Sequence, residues 1–345
     1  MKGLLDLPRV ELSTVPTPLR PAPRLSKVLG VEIWFKRDDL TGFGLGGNKV
    51  RALEYLLGDA LDRDCDCLVT GAGPQSNWAM LAALAARRCG LDAYLVCYGQ
   101  PVPTTGNLLL AELAGARITF TGNPDRASVD ASSVTLADEL RRAGHRPCVL
   151  PRGGATPVGA VGYARASLEL AEQLFATGLR PRQLWLATGS GGTQAGLLAG
   201  ARWLGLPYDV VGVTVSRPVA ECVQQIGELA AGAGTLLSMC EHGNDDVAVL
   251  DGFLGAGYGI PSAAGAEAAY LVARAEGVFL DPVFGAKAMA ALMCASSCVV
   301  DYHGVEDPGV VDSHSAMGPV VFLVTGGVPT LFEPRPPEAR CDWAG

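Results

Sequence analysis

Gln183-Leu184-Trp185-Leu186-Ala187-Thr188-Gly189-Ser190-Gly191-Gly192-Thr193-Gln194-Ala195-Gly196 is the stretch on which the fold turns. A short apolar run, Gln183 to Ala187, reads as a buried strand. Three glycines within four residues form a turn, and Thr193 to Trp203 follows with helical periodicity. A Gly-rich turn between strand and helix leaves backbone N–H groups exposed beside the positive end of the helix. That is a nest suited to a phosphate. No Lys follows the glycines, so this is not a P-loop, and the spacing is not the GxGxxG of a dinucleotide site. Taken alone, the segment could equally be a plain turn.

The same strand–helix order recurs on both sides. Val31 to Lys36 reads as strand, Asn48 to Arg63 as helix, Cys67 to Thr70 as strand and Trp78 to Arg88 as helix. Asp92 to Tyr98, Asn107 to Ala114 and Arg117 to Phe120 continue the alternation, and Asp209 to Val215 reads as a further strand. Alternation of this kind predicts parallel sheets covered by helices. The Gly/Pro-rich stretch from Pro151 to Gly162 separates two such runs, so two α/β lobes are expected.

Composition bounds the function. The chain has 345 residues, 27 Lys+Arg against 35 Asp+Glu, and a net charge of −8. With no basic run, neither nucleic acid nor an anionic membrane surface is expected as a partner. Glycine, 44 of 345 residues, is well above the usual level of about 7 % and serves turns and close approaches. No apolar stretch reaches the roughly 18 residues of a membrane span, and the first residues lack a secretory pattern. The ten cysteines are too dilute for a disulfide scaffold and lack zinc spacing. A cytoplasmic enzyme with reduced thiols and no metal is the expectation.

Two further strand–helix junctions carry chemistry. Gly46-Gly47-Asn48-Lys49 places a lysine at a helix start. The helix dipole there lowers an amine's pKa, as a nucleophile or Schiff-base former requires; an ordinary solvated lysine is the alternative. Gly73-Pro74-Gln75-Ser76-Asn77 adds a hydroxyl and an amide, where Ser76 or Asn77 could also cap the following helix.

A phosphate nest, an activated lysine and a Ser-Asn pair suggest pyridoxal phosphate (PLP). Thr17-Pro18-Leu19, Lys36-Arg37-Asp38-Asp39-Leu40, Gly46 to Arg51, Gln75-Ser76-Asn77, Gly106 to Leu110, Gly153 to Pro157, Gly257 to Pro261, Asp281-Pro282-Val283 and Thr325 to Pro329 occur in order along nearly the whole chain. With these blocks the sequence resembles the fold-type-II PLP enzymes of the 1-aminocyclopropane-1-carboxylate (ACC) deaminase and D-cysteine desulfhydrase family. The resemblance implies a tryptophan synthase β-like architecture of two open parallel-sheet lobes with the cofactor in the cleft. Residues 1–50 and 162–345 would form the large PLP-binding domain and residues 51–161 the small one. A homodimer is usual among such proteins.

It also implies roles. Lys49 would hold PLP as a Schiff base and then remove the substrate's Cα proton. Asn77 would hydrogen-bond the ring oxygen, Thr325 would face the ring nitrogen, and Gly189, Ser190, Gly191, Gly192 and Thr193 would bind the phosphate. Ser76 and Tyr258 would act on the substrate, in a pocket of Gln75, Ser76, Asn77, Trp78, Tyr258 and Phe284.

The sequence departs from the family at three positions. Phe284 stands where a second tyrosine is usual, Gly285 where Glu or Thr is usual, and Trp78 where desulfhydrases commonly have His. Phe284 has no proton to exchange, which disfavours ACC ring opening. A small amino-acid substrate that loses a sulfur leaving group after Cα deprotonation is expected, as in D-cysteine desulfhydration. Cyclisation of S-adenosylmethionine to ACC is the alternative, with Trp78 offering a cation–π face to the sulfonium; Trp78 as plain core filling is the competing reading. A PLP-binding protein without catalysis is the alternative of another class, against which Lys49, Ser76, Asn77 and Thr325 argue.

Overall fold

The computed structural model describes residues 3–239, 243, 246–300 and 317–332. From the N-terminus, β1 (Leu19–Pro21), α1 (Pro23–Leu29) and β2 (Ile33–Arg37) lead into α2 (Lys49–Asp62). Next come β3 (Cys67–Ala72), α3 (Asn77–Arg88), β4 (Asp92–Cys97), α4 (Gly106–Leu113), β5 (Arg117–Phe120), α5 (Ser128–Arg142) and β6 (Pro147–Val149). The chain continues through α6 (Pro157–Thr177), β7 (Gln183–Thr188), α7 (Gly192–Leu204), β8 (Asp209–Thr214), α8 (Val219–Leu236) and β9 (Ala248–Leu250). It closes with α9 (Ala263–Glu276), α10 (Gly285–Val300) and β10 (Val320–Val324).

These strands form two sheets. The larger has the order β1-β2-β10-β7-β8-β9, the smaller β5-β4-β3-β6. Only β1 pairs antiparallel; every other pairing is parallel. Strands covered on both faces read as continuous apolar runs, and β10, Val-Val-Phe-Leu-Val, is buried at every position. It lies between β2 and β7, so the last described strand fills the middle of the larger sheet. The elements expected from the sequence are found to within a residue or two at most ends, as helix caps and strand ends shift easily. The helices α5, α6, α8, α9 and α10 and strand β10 were not among them, and Pro157 to Gly162 of the expected separating stretch forms the first turns of α6.

Two helices set the spacing beneath the site. On α7, a Cβ at Gly196 would lie 2.1 Å from the Ala160 carbonyl oxygen, and one at Gly200 would lie 2.5 Å from Ser167. Without side chains at these two positions α7 lies directly on α6. On α2, Val50, Leu53, Leu57 and Ala60 pack with the helices of the smaller sheet, while Tyr55 packs with α6, α7 and α8.

A buried charge network braces the start of α2. Asp38 is fully buried and receives two hydrogen bonds from Arg51, both 2.8 Å, one from Tyr163 Oη at 2.6 Å and one from Thr17 Oγ1 at 2.7 Å. Arg51 also donates to Glu169 at 2.9 and 3.0 Å, and Lys36 pairs with the same carboxylate. Burial works to raise the Asp38 pKa, yet the Arg51 charge prevails and holds the carboxyl below its ordinary range. With its partners in place the network stays ionised.

Candidate active site

The carboxyl ends of both sheets open onto one cavity of about 660 Å³. That size lies within the range of roughly 300–1,000 Å³ typical of small-molecule sites. Its wall is built from the junctions singled out in the sequence: Gly46 to Lys49, Gly73 to Trp78, Thr188 to Gly191, Thr193, and Thr325 to Gly327.

Lys49 is the first residue of α2. The residue as a whole is half-buried, but its amine is buried and has no hydrogen-bonding partner among the described residues, and burial brings its pKa down to about 8. Desolvation thus shifts the amine in the same direction as the helix dipole at the start of α2. Across the cavity, Gly191 precedes α7 in a left-handed conformation (φ +86°) and gives it no side-chain cap. The first N–H groups of α7 are therefore left to a ligand, and their dipole favours an anion.

Gly153 joins these two features. A Cβ on it would lie 2.6 Å from Ser190 Oγ and 4.0 Å from Lys49 Nζ. A bare backbone there lets amine and loop face the same space. Asn48, next to the lysine, donates through Nδ2 to Thr193 Oγ1 at 2.9 Å and through its backbone N–H to the Thr325 carbonyl at 2.9 Å. The lysine, the glycine-rich loop and the end of β10 are thereby tied together.

Of the two caps considered for α3, Ser76 is the one used: its Oγ accepts from the Ala79 N–H at 3.3 Å. Asn77 turns its amide nitrogen toward Gly327, where a Cβ would lie 3.0 Å away. Gln75 lines the cavity, but its side chain is spent elsewhere, accepting from Asn107 N at 2.9 Å and donating to Thr105 O at 3.0 Å. Only its backbone is left for a ligand.

Trp78 is nearly fully buried and belongs to the core around the smaller sheet. Its Nε1 donates to Thr70 Oγ1 at 2.9 Å, and a Cβ on Gly154 would strike its ring at 2.4 Å. Its ring reaches the cavity wall as packed core. Phe284 lies over the loop, its ring 3.6 Å from where a Gly189 Cβ would be, and meets Tyr258 edge to face at 6.1 Å. Gly285 is not among the lining residues; its N–H donates to Asp281 Oδ2 at 2.8 Å.

Asn107 and Asp281 stand inside the quoted blocks Gly106 to Leu110 and Asp281-Pro282-Val283 without a role read for them, while Lys287 and Arg126 carry no readable signal. Asn107 orients Asn77. Asp281 takes the N–H groups of Val283, Phe284 and Gly285 and so fixes the start of α10; burial pushes it up to about 6. Lys287, buried on α10, donates to the carbonyls of Leu254 and Gly257 at 2.7 and 3.2 Å and holds the loop that carries Tyr258. Arg126, in an unremarkable loop after β5, stacks on Tyr258 with 3.8 Å to the ring centroid. At the far end of β3, Asp66, Cys67 and His145 gather. Burial and Asp66 push the Cys67 thiol up to about 12.

Two sheets, parallel but for the edge strand β1, with an unpaired lysine facing an uncapped helix start define an enzyme that holds a phosphorylated carbonyl cofactor, and the donor set fits PLP. The chain belongs to the pyridoxal-phosphate dependent enzyme family, whose profile matches residues 10–299. It is 38% identical over 341 residues to a D-cysteine desulfhydrase of Salmonella choleraesuis, covering 96% of this chain and 98% of that one. A crystal structure of an ACC deaminase homologue superposes with a TM-score of 0.85 at 34% identity, covering 95% of this chain and 94% of that one. The L-serine ammonia-lyase of Rhizomucor miehei, at 19% identity and a TM-score of 0.63 over 91% of this chain and 94% of that one, shares the fold.

Proposed function

We propose that this chain is a carbon–sulfur lyase that deprotonates a small amino acid at Cα and expels sulfur from Cβ, in the manner of D-cysteine desulfhydration. The observation that carries this reading is the unpaired Lys49 amine lining one cavity with Ser190 and the uncapped start of α7, where a Cβ on Gly153 would reach both Ser190 Oγ and Lys49 Nζ. PLP, when bound, takes up the electron pair released at Cα.

The chain's own groups supply the rest. Lys49 Nζ holds the cofactor and moves the Cα proton. The Gly189 to Thr193 loop takes the phosphate. Asn77 Nδ2 would donate to the ring oxygen, and Thr325 would offer a neutral hydroxyl on the side of the ring nitrogen. Ser76 and the backbone of Gln75 and Asn77, at the positive end of α3, receive the substrate carboxylate. Tyr258 closes the substrate side, and the smaller sheet, within residues 51–161, forms the lobe that covers the cofactor lobe of residues 1–50 and 162–345.

The other reactions rank lower. S-adenosylmethionine carries a sulfonium, and among the described residues no acidic one lines the cavity to meet it. Trp78 is held by Thr70 and Gly154 as core. Phe284 cannot assist ring opening of ACC. A cytoplasmic homodimer belongs to the same reading; the described cysteines form no disulfide, and no described helix is long and apolar enough to cross a membrane.

The test is a product assay by mass spectrometry with PLP-loaded protein and, separately, D-cysteine, ACC and S-adenosylmethionine. Pyruvate and sulfide from D-cysteine are expected. Methylthioadenosine and ACC from S-adenosylmethionine would replace this reading with a cyclase.

A further inference from the structure

Four cations line the cavity, Lys49, Arg126, Arg152 and Arg217, and among the described residues no carboxylate does. This imbalance occurs in a chain of net charge −8. Three of the four have an assignment. Lys49 belongs to the cofactor. Arg152 is paired with Asp130 through two hydrogen bonds of 3.1 and 2.9 Å. Arg217 is bonded to Gln225.

Arg126 is left over. Among the described residues no acid pairs with it, and its neighbour Asp125 spends its carboxylate on the Ala127 N–H at 2.9 Å. Its guanidinium lies over the Tyr258 ring, 3.8 Å from the centroid. Stacking occupies the face of a guanidinium and leaves the N–H donors on its rim free. Tyr258 in turn meets Phe284, which lies against Gly189. The free donors therefore stand on the substrate side of the site, where the cofactor phosphate and the substrate α-carboxylate already have their own receptors at α7 and α3.

We propose that Arg126 receives a second anionic group on the substrate, so that the enzyme takes amino acids whose Cβ substituent ends in an anion. This rests on the lyase reading above. In the reaction such a substrate passes its Cα proton to Lys49 Nζ. The Cβ–S bond breaks with its electron pair going to sulfur, and the departing thiolate takes a proton. The remaining dehydroamino acid takes up water and yields pyruvate and ammonium.

A pair of near-isosteric probes isolates the charge: S-carboxymethyl-cysteine and S-carbamoylmethyl-cysteine, each as D and L forms. PLP-loaded wild type, Arg126→Met and Arg126→Lys are compared for kcat/KM of pyruvate release and, by calorimetry, for Kd. Wild type is expected to prefer the carboxylate about tenfold or more, as charge-assisted hydrogen bonds outweigh neutral ones. Arg126→Met brings the ratio to within about twofold, and Arg126→Lys retains part of it. Equal binding of the two probes by wild type, or a preference that survives in Arg126→Met, overturns the proposal and makes Arg126 a clamp on Tyr258. Binding that discriminates with no pyruvate from either probe or from D-cysteine would instead overturn the lyase reading and leave the anion receptor standing.

Discussion

Asn107 donates from Nδ2 to the Oδ1 of Asn77 at 2.8 Å. The same nitrogen donates to the Gln75 carbonyl at 3.0 Å, so the Asn107 amide cannot turn without losing two acceptors. With its oxygen occupied, Asn77 presents only its own nitrogen to the cavity. A donor is what a cofactor's ring oxygenate calls for. Replacing Asn107 by Leu frees Asn77 to rotate. Cofactor affinity should fall by roughly 1–3 kcal/mol, the cost of stranding a buried polar group, read by equilibrium dialysis of PLP. Unchanged retention of PLP would mean that Asn77 is held by something else.

The buried Lys49 amine, with a pKa of about 8, predicts how the cofactor-free protein captures PLP. Only the neutral amine attacks the aldehyde. Acidification protonates it, so the capture rate rises with pH up to about 8 and levels off beyond. At pH 6 capture should be about 100-fold slower than the plateau. Stopped-flow absorbance gives the midpoint, and a midpoint near that of an ordinary lysine would contradict the role of burial. Lys49→Ala should show neither the absorbance of covalently held cofactor nor turnover.

Breaking the Asp38–Arg51 pair should cost far more than removing it whole. Arg51→Met leaves the Asp38 and Glu169 carboxylates without their guanidinium, for which roughly 3–5 kcal/mol is usual at a buried pair. Adding Asp38→Leu should recover part of that loss. Urea unfolding of the two single variants and the double variant measures the coupling. Strict additivity would show that the network contributes nothing as a unit.

Phe284→Tyr puts a hydroxyl at the edge of the Tyr258–Phe284 pair, whose ring centroids are 6.1 Å apart. If the missing proton carrier is what limits ring opening, ammonia release from ACC should rise about tenfold or more. No change would place the limit outside this ring.

Much of this architecture could be read in advance because it is local. The run Leu184 to Leu186 is buried, the turn after it needs Gly191, and α7 follows within a residue of its expected start. Lys49, Ser76, Asn77 and Thr325 stand in short motifs at the end of a strand or the start of a helix, and all four line the cavity. The rest depends on partners far apart in the chain. Lys36 and Glu169 are separated by 133 positions, and nothing near either residue announces the other. Arg126 had no motif around it, and only the fold lays it on Tyr258. Gln75 shows the opposite case: its motif was visible and it does line the cavity, while the turn at Thr105 to Asn107 that claims its side chain was not.

Strand β10 has a bearing on how the enzyme is made. It supplies the centre of the larger sheet, between β2 and β7, and its end anchors the residue before Lys49. During synthesis β2 and β7 leave the ribosome long before their shared neighbour exists, each with an open hydrogen-bonding edge. Such edges invite wrong pairing until they are filled. The smaller sheet, drawn from one uninterrupted stretch, can close early, whereas cofactor loading must wait for Val320 to Thr325. A ribosome stalled before that strand would carry a chain with most of its helices and no place for PLP.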